Sequence, residues 1–62
     1  MAWLACNENG SETIFQDKPY RRYFDDGLGS FWDGDKAVVL SEGTIKKFLG
    51  RSLSWKDEAI EI

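Results

Sequence analysis

The sequence predicts an α+β fold: a small, mostly antiparallel sheet of four or five strands with one short helix packed on it. Three observations predict it. Asn9-Gly10 separates two short apolar runs, Ala37-Val38-Val39-Leu40 is a β-branched run bounded by turn residues, and Ile45, Phe48 and Leu49 recur at helical spacing ahead of Gly50. Together they give strands followed by a helix, an α+β order. With 62 residues there is one small domain, 1–62, and no room for a second core. A chain this short buries only about 60% of the surface its unfolded form exposes, so its stability depends on close packing or self-association.

The first element is a hairpin. Ala2 to Asn7 and Glu12 to Gln16 are the two strands, and Asn-Gly is the residue pair a two-residue type I′ turn prefers. A turn of that length sets Leu4 opposite Phe15 and Cys6 opposite Thr13 on one face. On the other it sets Trp3 opposite Gln16 and Ala5 opposite Ile14. Both faces then carry apolar groups, so the hairpin is covered on both sides, or one side binds something. Cys6 lies in the first strand and reads as a small buried hydrophobe rather than a reactive thiol.

Lys18-Pro19 ends the second strand, because proline cannot donate to a ladder. Tyr20-Arg21-Arg22-Tyr23-Phe24 reads as an irregular edge strand, and Asp25 to Ser30 as a loop. Phe31-Trp32 precedes a turn at Asp33-Gly34-Asp35, and the run ending at Leu40 reads as a buried strand. Ser41 is placed to cap the helix, with Glu42 in its first turn. Gly50 is placed to end it, and Lys47 and Arg51 suit its negative end. Leu53-Ser54-Trp55 alternates, Lys56-Asp57-Glu58 makes a bend, and Ala59-Ile60-Glu61-Ile62 reads as a last strand added to the sheet.

Composition bounds the function. Apolar residues make up 42% and aromatics 15% of the chain, which is the composition of a folded domain and not of a disordered one. The net charge of −3 weighs against a general nucleic-acid binder. No apolar run approaches the roughly 18 residues of a membrane span. The opening Met1-Ala2-Trp3-Leu4-Ala5-Cys6 lacks the basic region of a signal peptide. One cysteine and no histidine exclude an internal disulfide and leave no zinc site. A lone thiol in an unsecreted chain fits the reducing cytoplasm.

The parts of an enzyme are missing. Five serines have no histidine to activate them. Gly27-x-Gly29 does not continue as a dinucleotide fingerprint. Asp25, Asp26, Asp33 and Asp35 could collect oxygen ligands for a cation, but the spacing fails the twelve-residue calcium-loop pattern, and Asp and Gly make turns anyway. Paired carboxylates also serve acid–base chemistry, yet a chain of this size has little room to enclose a pocket. No cofactor is expected, and the chain reads as non-enzymatic.

Two surface chemistries remain. Trp3, Tyr20, Tyr23, Phe31, Trp32 and Trp55 form an aromatic excess of the kind that supplies binding hot spots, and point to a protein partner or self-association. Three tryptophans can equally be edge packing of a thin sheet. Lys18, Tyr20, Arg21, Arg22, Tyr23 and Phe24, with Lys46, Lys47 and Arg51 near the helix end, form the alternative, a basic nucleic-acid surface, provided the two groups meet in space. The same arginines can instead lie over rings or pair with Asp25 and Asp26. The acids from Asp25 to Asp35, with Glu42, Asp57, Glu58 and Glu61, form either a solubilising surface or one that engages a basic partner.

Trp3-Leu4 with Asn9-Gly10, Ile14-Phe15 with Lys18-Pro19 and Arg21, and Leu40-x-x-Gly43-x-Ile45 followed by Gly50-Arg51-x-Leu53-x-Trp55-x-Asp57-Glu58 together form a pattern. It resembles small uncharacterised proteins encoded by gut bacteria, their phages and mobile elements. The resemblance covers both ends of the chain and omits the middle, from Tyr23 to Lys36. It carries no assigned activity and no site residues. It implies an accessory role in a bacterial cytoplasm or a phage-infected cell.

Overall fold

In a computed structural model, which describes residues 1–23 and 29–62, the chain forms a small α+β domain. Among the described residues six strands and one helix run in the order β1 (Trp3–Cys6), β2 (Glu12–Phe15), β3 (Tyr20–Arg22), β4 (Phe31–Asp33), β5 (Val38–Leu40), α1 (Thr44–Leu49) and β6 (Ile60–Glu61). Four strands make one antiparallel sheet in the order β5-β2-β1-β6, while β3 and β4 pair as a separate antiparallel ribbon. Phe24, Asp25, Asp26, Gly27 and Leu28 lie outside the described residues.

The first hairpin forms, but with a one-residue shift from the expected register. Trp3 opposes Phe15, Leu4 opposes Ile14, Ala5 opposes Thr13 and Cys6 opposes Glu12. The reason is the turn. The Asn7 N–H bonds the Ser11 carbonyl, and the Gly10 N–H bonds the Asn7 carbonyl, both at 2.9 Å, which closes a three-residue loop. Gly10 alone takes positive φ, at 90°, while the Asn9 carboxamide oxygen accepts from the Ser11 N–H. This is a type I turn followed by a left-handed glycine, the other loop that accepts Asn-Gly.

The new register sorts the apolar side chains onto two faces. Leu4, Cys6 and Ile14 face α1, where they pack with Ile45, Leu49 and Leu53. Ala5 and Phe15 face the β3–β4 ribbon, where they pack with Trp32, Trp55 and Ala59. The hairpin is therefore covered on both sides. Ile60 of the last strand and Ile62 just after it join the helix-side cluster, and β6 pairs with β1 as a final strand.

Three local expectations are corrected. First, β5 is an edge strand and not a buried one, with Val38 56% and Val39 72% exposed. A β-branched run suits both positions, and here only one neighbour pairs with it. Second, Ser41 does not cap α1 with its side chain, and Glu42 precedes the first turn. Gly43 is the N-cap, at φ 90°, and the Glu12 carboxylate of β2 takes the exposed N–H groups of Gly43 and Ile45 at 2.7 Å each. Ser41 contributes its carbonyl, which accepts from the Thr44 N–H and hydroxyl. Third, Phe48 is exposed, so the buried stripe of the helix is Ile45 with Leu49. Gly50 ends the helix as expected, at φ 80°, its N–H bonded to the Lys46 carbonyl.

Leu53 to Trp55 is not a strand. Leu53 joins the helix-side cluster and Trp55 the ribbon side, so the segment crosses from one layer to the other. The bend that follows is tied by the Asp57 carboxylate, which accepts from the Ser54 N–H at 2.8 Å.

Candidate functional site

The sheet and the ribbon enclose between them an open groove of about 380 Å³. Its lining comes from β1 (Trp3), from the segment entering the ribbon (Lys18, Pro19), from the ribbon itself (Tyr20, Arg21, Trp32) and from the approach to β6 (Glu58, Ala59). Trp3 reaches it because β1 alternates, sending Trp3 and Ala5 to the ribbon side. Buried Pro19 turns the chain off β2 and starts β3 at the groove wall. Trp3 is half-buried and the Lys18 ammonium sits 5.6 Å from its ring centre. Tyr20 is half in water, at 53% exposure.

Alternation along β3 divides its three polar side chains. Tyr20 and Arg22 point outward and Arg21 inward. The outward pair is tied to Asp33 of β4: the Arg22 Nε–H donates to the carboxylate at 2.8 Å, Arg22 Nη2 donates to the Tyr20 hydroxyl at 3.0 Å, and that hydroxyl lies 3.3 Å from the same carboxylate. These bonds, the Tyr20 hydroxyl first and Asp33 second, hold the Arg22 proton more tightly than usual.

Arg21 fastens the layers. Its guanidinium carbon lies 4.7 Å from the Trp32 ring centre and 5.3 Å from that of Trp55. Its Nη2 donates to the carbonyls of Trp55 and Asp57, both at 2.9 Å. A longer pair at 3.4 Å reaches the exposed Glu58 carboxylate. Trp55 also meets Trp32 and Tyr23 edge-on, at centroid distances of 6.0 and 5.9 Å. The turn carrying Trp55 and Asp57 is thereby pinned to the ribbon.

Of the six aromatic residues singled out from the sequence, Trp3, Tyr20 and Trp32 line the groove, while Trp55 and exposed Tyr23 meet edge-on outside its lining. Trp32 is core rather than surface, at 5% exposure, with its backbone N–H bonded to the Asn7 side chain. Phe31 belongs to a separate recess with Asn7 to Asn9, Gly29 and Ser30. The two basic groups do not meet. Arg21 and Arg22 are on the ribbon, whereas Lys46, Lys47 and Arg51 are exposed around the end of α1, across the sheet.

Sequence reasoning set Lys18 in the basic and aromatic cluster and Glu58 in the acidic surface, and missed Pro19 as a groove wall and the inward role of Arg21. Period-two alternation over Tyr20-Arg21-Arg22 was the available signal for Arg21. Among the described residues no three of His, Cys, Asp and Glu come together to hold a metal ion. Asp33 is occupied by Arg22 and Tyr20, while Asp25 and Asp26 lie outside the described residues. Cys6 is buried; burial first, then the Glu12 and Asp57 carboxylates, pushes its thiol above the ordinary range. No helix among the described residues is long and apolar enough to cross a membrane. The chain matches no protein-family model, no curated protein and no solved structure.

Proposed function

We propose that this chain is a small non-enzymatic protein-interaction domain whose partner seats on the groove between the sheet and the β3–β4 ribbon. The observation that carries this is the composition of the groove. Two accessible rings, Trp3 and Tyr20, stand over a buried one, Trp32, with a cation (Lys18) and an anion (Glu58) at its margin. Hot spots have this make-up, with aromatic anchors in the centre and charged groups at the rim. The walls are held by Arg21, so a partner meets a surface that is already ordered, which lowers the cost of binding. The likeness of the two chain ends to small proteins of gut bacteria and their phages makes an accessory role in a bacterial cytoplasm part of the proposal.

The nucleic-acid alternative has less support. Arg21 is committed to two carbonyls and two rings and Arg22 to Asp33, which leaves Lys46, Lys47 and Arg51 of the five candidate bases without an ion pair among the described residues. Such a surface predicts binding that weakens steeply with salt and whose slope falls in Lys47→Ala.

The test is capture of partners from host lysate by tagged protein, run with and without nuclease. The wild type is compared with Tyr20→Ala, Lys18→Ala and Lys47→Ala, each confirmed folded by circular dichroism. A protein retained by the wild type and Lys47→Ala, and lost from Tyr20→Ala, supports the proposal. Capture that is unchanged in Tyr20→Ala, or that disappears with nuclease, refutes it.

A further inference from the structure

The open edge of the main sheet is the second surface. A four-stranded sheet has two edges, and here they differ. The β6 edge is two residues long and carries Glu61, the short and charged form that discourages pairing. The β5 edge reads Val38-Val39-Leu40, with no charge, proline or bulge inside it, and both valines are exposed.

The backbone of β5 is oriented for pairing. The β1–β2 ladder closes on the bond from the Asn7 N–H to the Ser11 carbonyl. Bonded and non-bonded pairs alternate along antiparallel strands. Glu12 and Ile14 therefore turn their backbone groups to Leu40 and Val38 of β5. Gln16, of the same parity, follows suit and donates its N–H to the Asp35 carbonyl. Val39, between Val38 and Leu40, turns its own N–H and C=O away from the sheet.

We propose that two copies of this chain pair edge to edge through β5, antiparallel, about a two-fold axis at Val39. Each Val39 exchanges both backbone hydrogen bonds with the second copy's Val39, and Val38 opposes the second copy's Leu40. The choice of a second copy rests on charge. The two-fold brings the turn before one strand, which carries exposed Lys36, to the end where the turn after the second copy's strand carries exposed Glu42. The strand is thus complementary to itself at both ends, as a two-fold interface requires. The valines of the two copies meet on each face as cross-strand pairs. None of these residues lines the aromatic groove, so the two surfaces are independent.

The test is sedimentation of the full chain over a concentration series reaching about 1 mM, the weak end of specific association. The mass rises from the 7.1 kDa monomer to twice that value. Val39→Lys, which places two like charges side by side at the axis, keeps the monomer at all concentrations. Lys36→Glu and Glu42→Lys each raise the dissociation constant about tenfold, and the double variant restores it. Should Val39→Lys fail to fold, the charge exchange alone decides. A wild type that stays monomeric throughout overturns the proposal and leaves the edge to a strand from another protein. Failure of the double variant to recover association overturns the register.

Discussion

Removing the Arg21 side chain is the most informative single perturbation of the fold. The side chain is 22% exposed, and its guanidinium lies against two indole rings and donates to two carbonyls. A hydrogen bond from a charged donor contributes about 1.5–3 kcal/mol, and partial exposure argues for the lower end here because water can replace the lost donor. Each cation–ring contact adds roughly 0.5–1 kcal/mol. Arg21→Ala should therefore cost about 4–5 kcal/mol, a large share of the roughly 0.05–0.15 kcal/mol per residue that holds small domains together. Arg21→Lys keeps the charge but cannot span both carbonyls, and should cost about half as much. Glu58→Ala removes only a long, 81% exposed ion pair and should cost no more than about 0.5 kcal/mol. Urea unfolding followed by tryptophan fluorescence measures all three, since Trp32 and Trp55 report on the contact directly. A cost below about 1 kcal/mol for Arg21→Ala, or an equal cost for Glu58→Ala, would refute the view that carbonyl and ring contacts fasten the layers.

Other perturbations test the remaining structure. Glu12→Ala should cost about 1–2 kcal/mol and abolish hydrogen-exchange protection at the Gly43 and Ile45 amides; unchanged protection there would remove Glu12 as the helix cap. Gly34→Ala should destabilise by about 1–3 kcal/mol, because its Cβ would lie 3.0 Å from the buried Phe15 ring and 3.3 Å from the Pro19 backbone. Gly10→Ala has open space around it and should lose only the roughly 1–2 kcal/mol of a left-handed residue, with Gly10→Asn losing less; chemical denaturation separates the three. The raised Cys6 thiol gives a pH signature. The fold favours its protonated form, so that contribution is complete below the unfolded value near ~8.5 and is lost as pH rises from there through the folded value. The stability gap between wild type and Cys6→Ala should narrow between neutral and alkaline pH, and a gap that stays constant would contradict this.

The sequence made parts of this molecule legible and hid others for physical reasons. Asn9-Gly10 marked the hairpin, but two different loops accept that pair. The choice between them is set by which face Phe15 occupies, and so by Trp32, which lies far along the chain. Gly50 announced the helix end because a left-handed cap is a local requirement. The helix start was not legible, since its cap is a carboxylate from β2, 31 and 33 residues away in sequence from its donors. Val38-Val39-Leu40 reads the same whether buried or at an edge, because β-branched residues suit any pleated, half-buried surface and the neighbours that cover it are set elsewhere in the chain. The aromatic set was visible as a composition, and its groove was not. Trp3 and Tyr20 come together only through the ribbon that Pro19 starts and Arg21 holds down.

The central claim is that the groove beside Tyr20 receives a protein. Photo-crosslinking in the native host tests it most directly, with a benzophenone amino acid placed at Tyr20 in one variant and at Lys47 in another. The account predicts a discrete, nuclease-resistant protein adduct from position 20 and none from position 47. Adducts only from position 47, sensitive to nuclease, would contradict it and move the binding surface to the end of the helix.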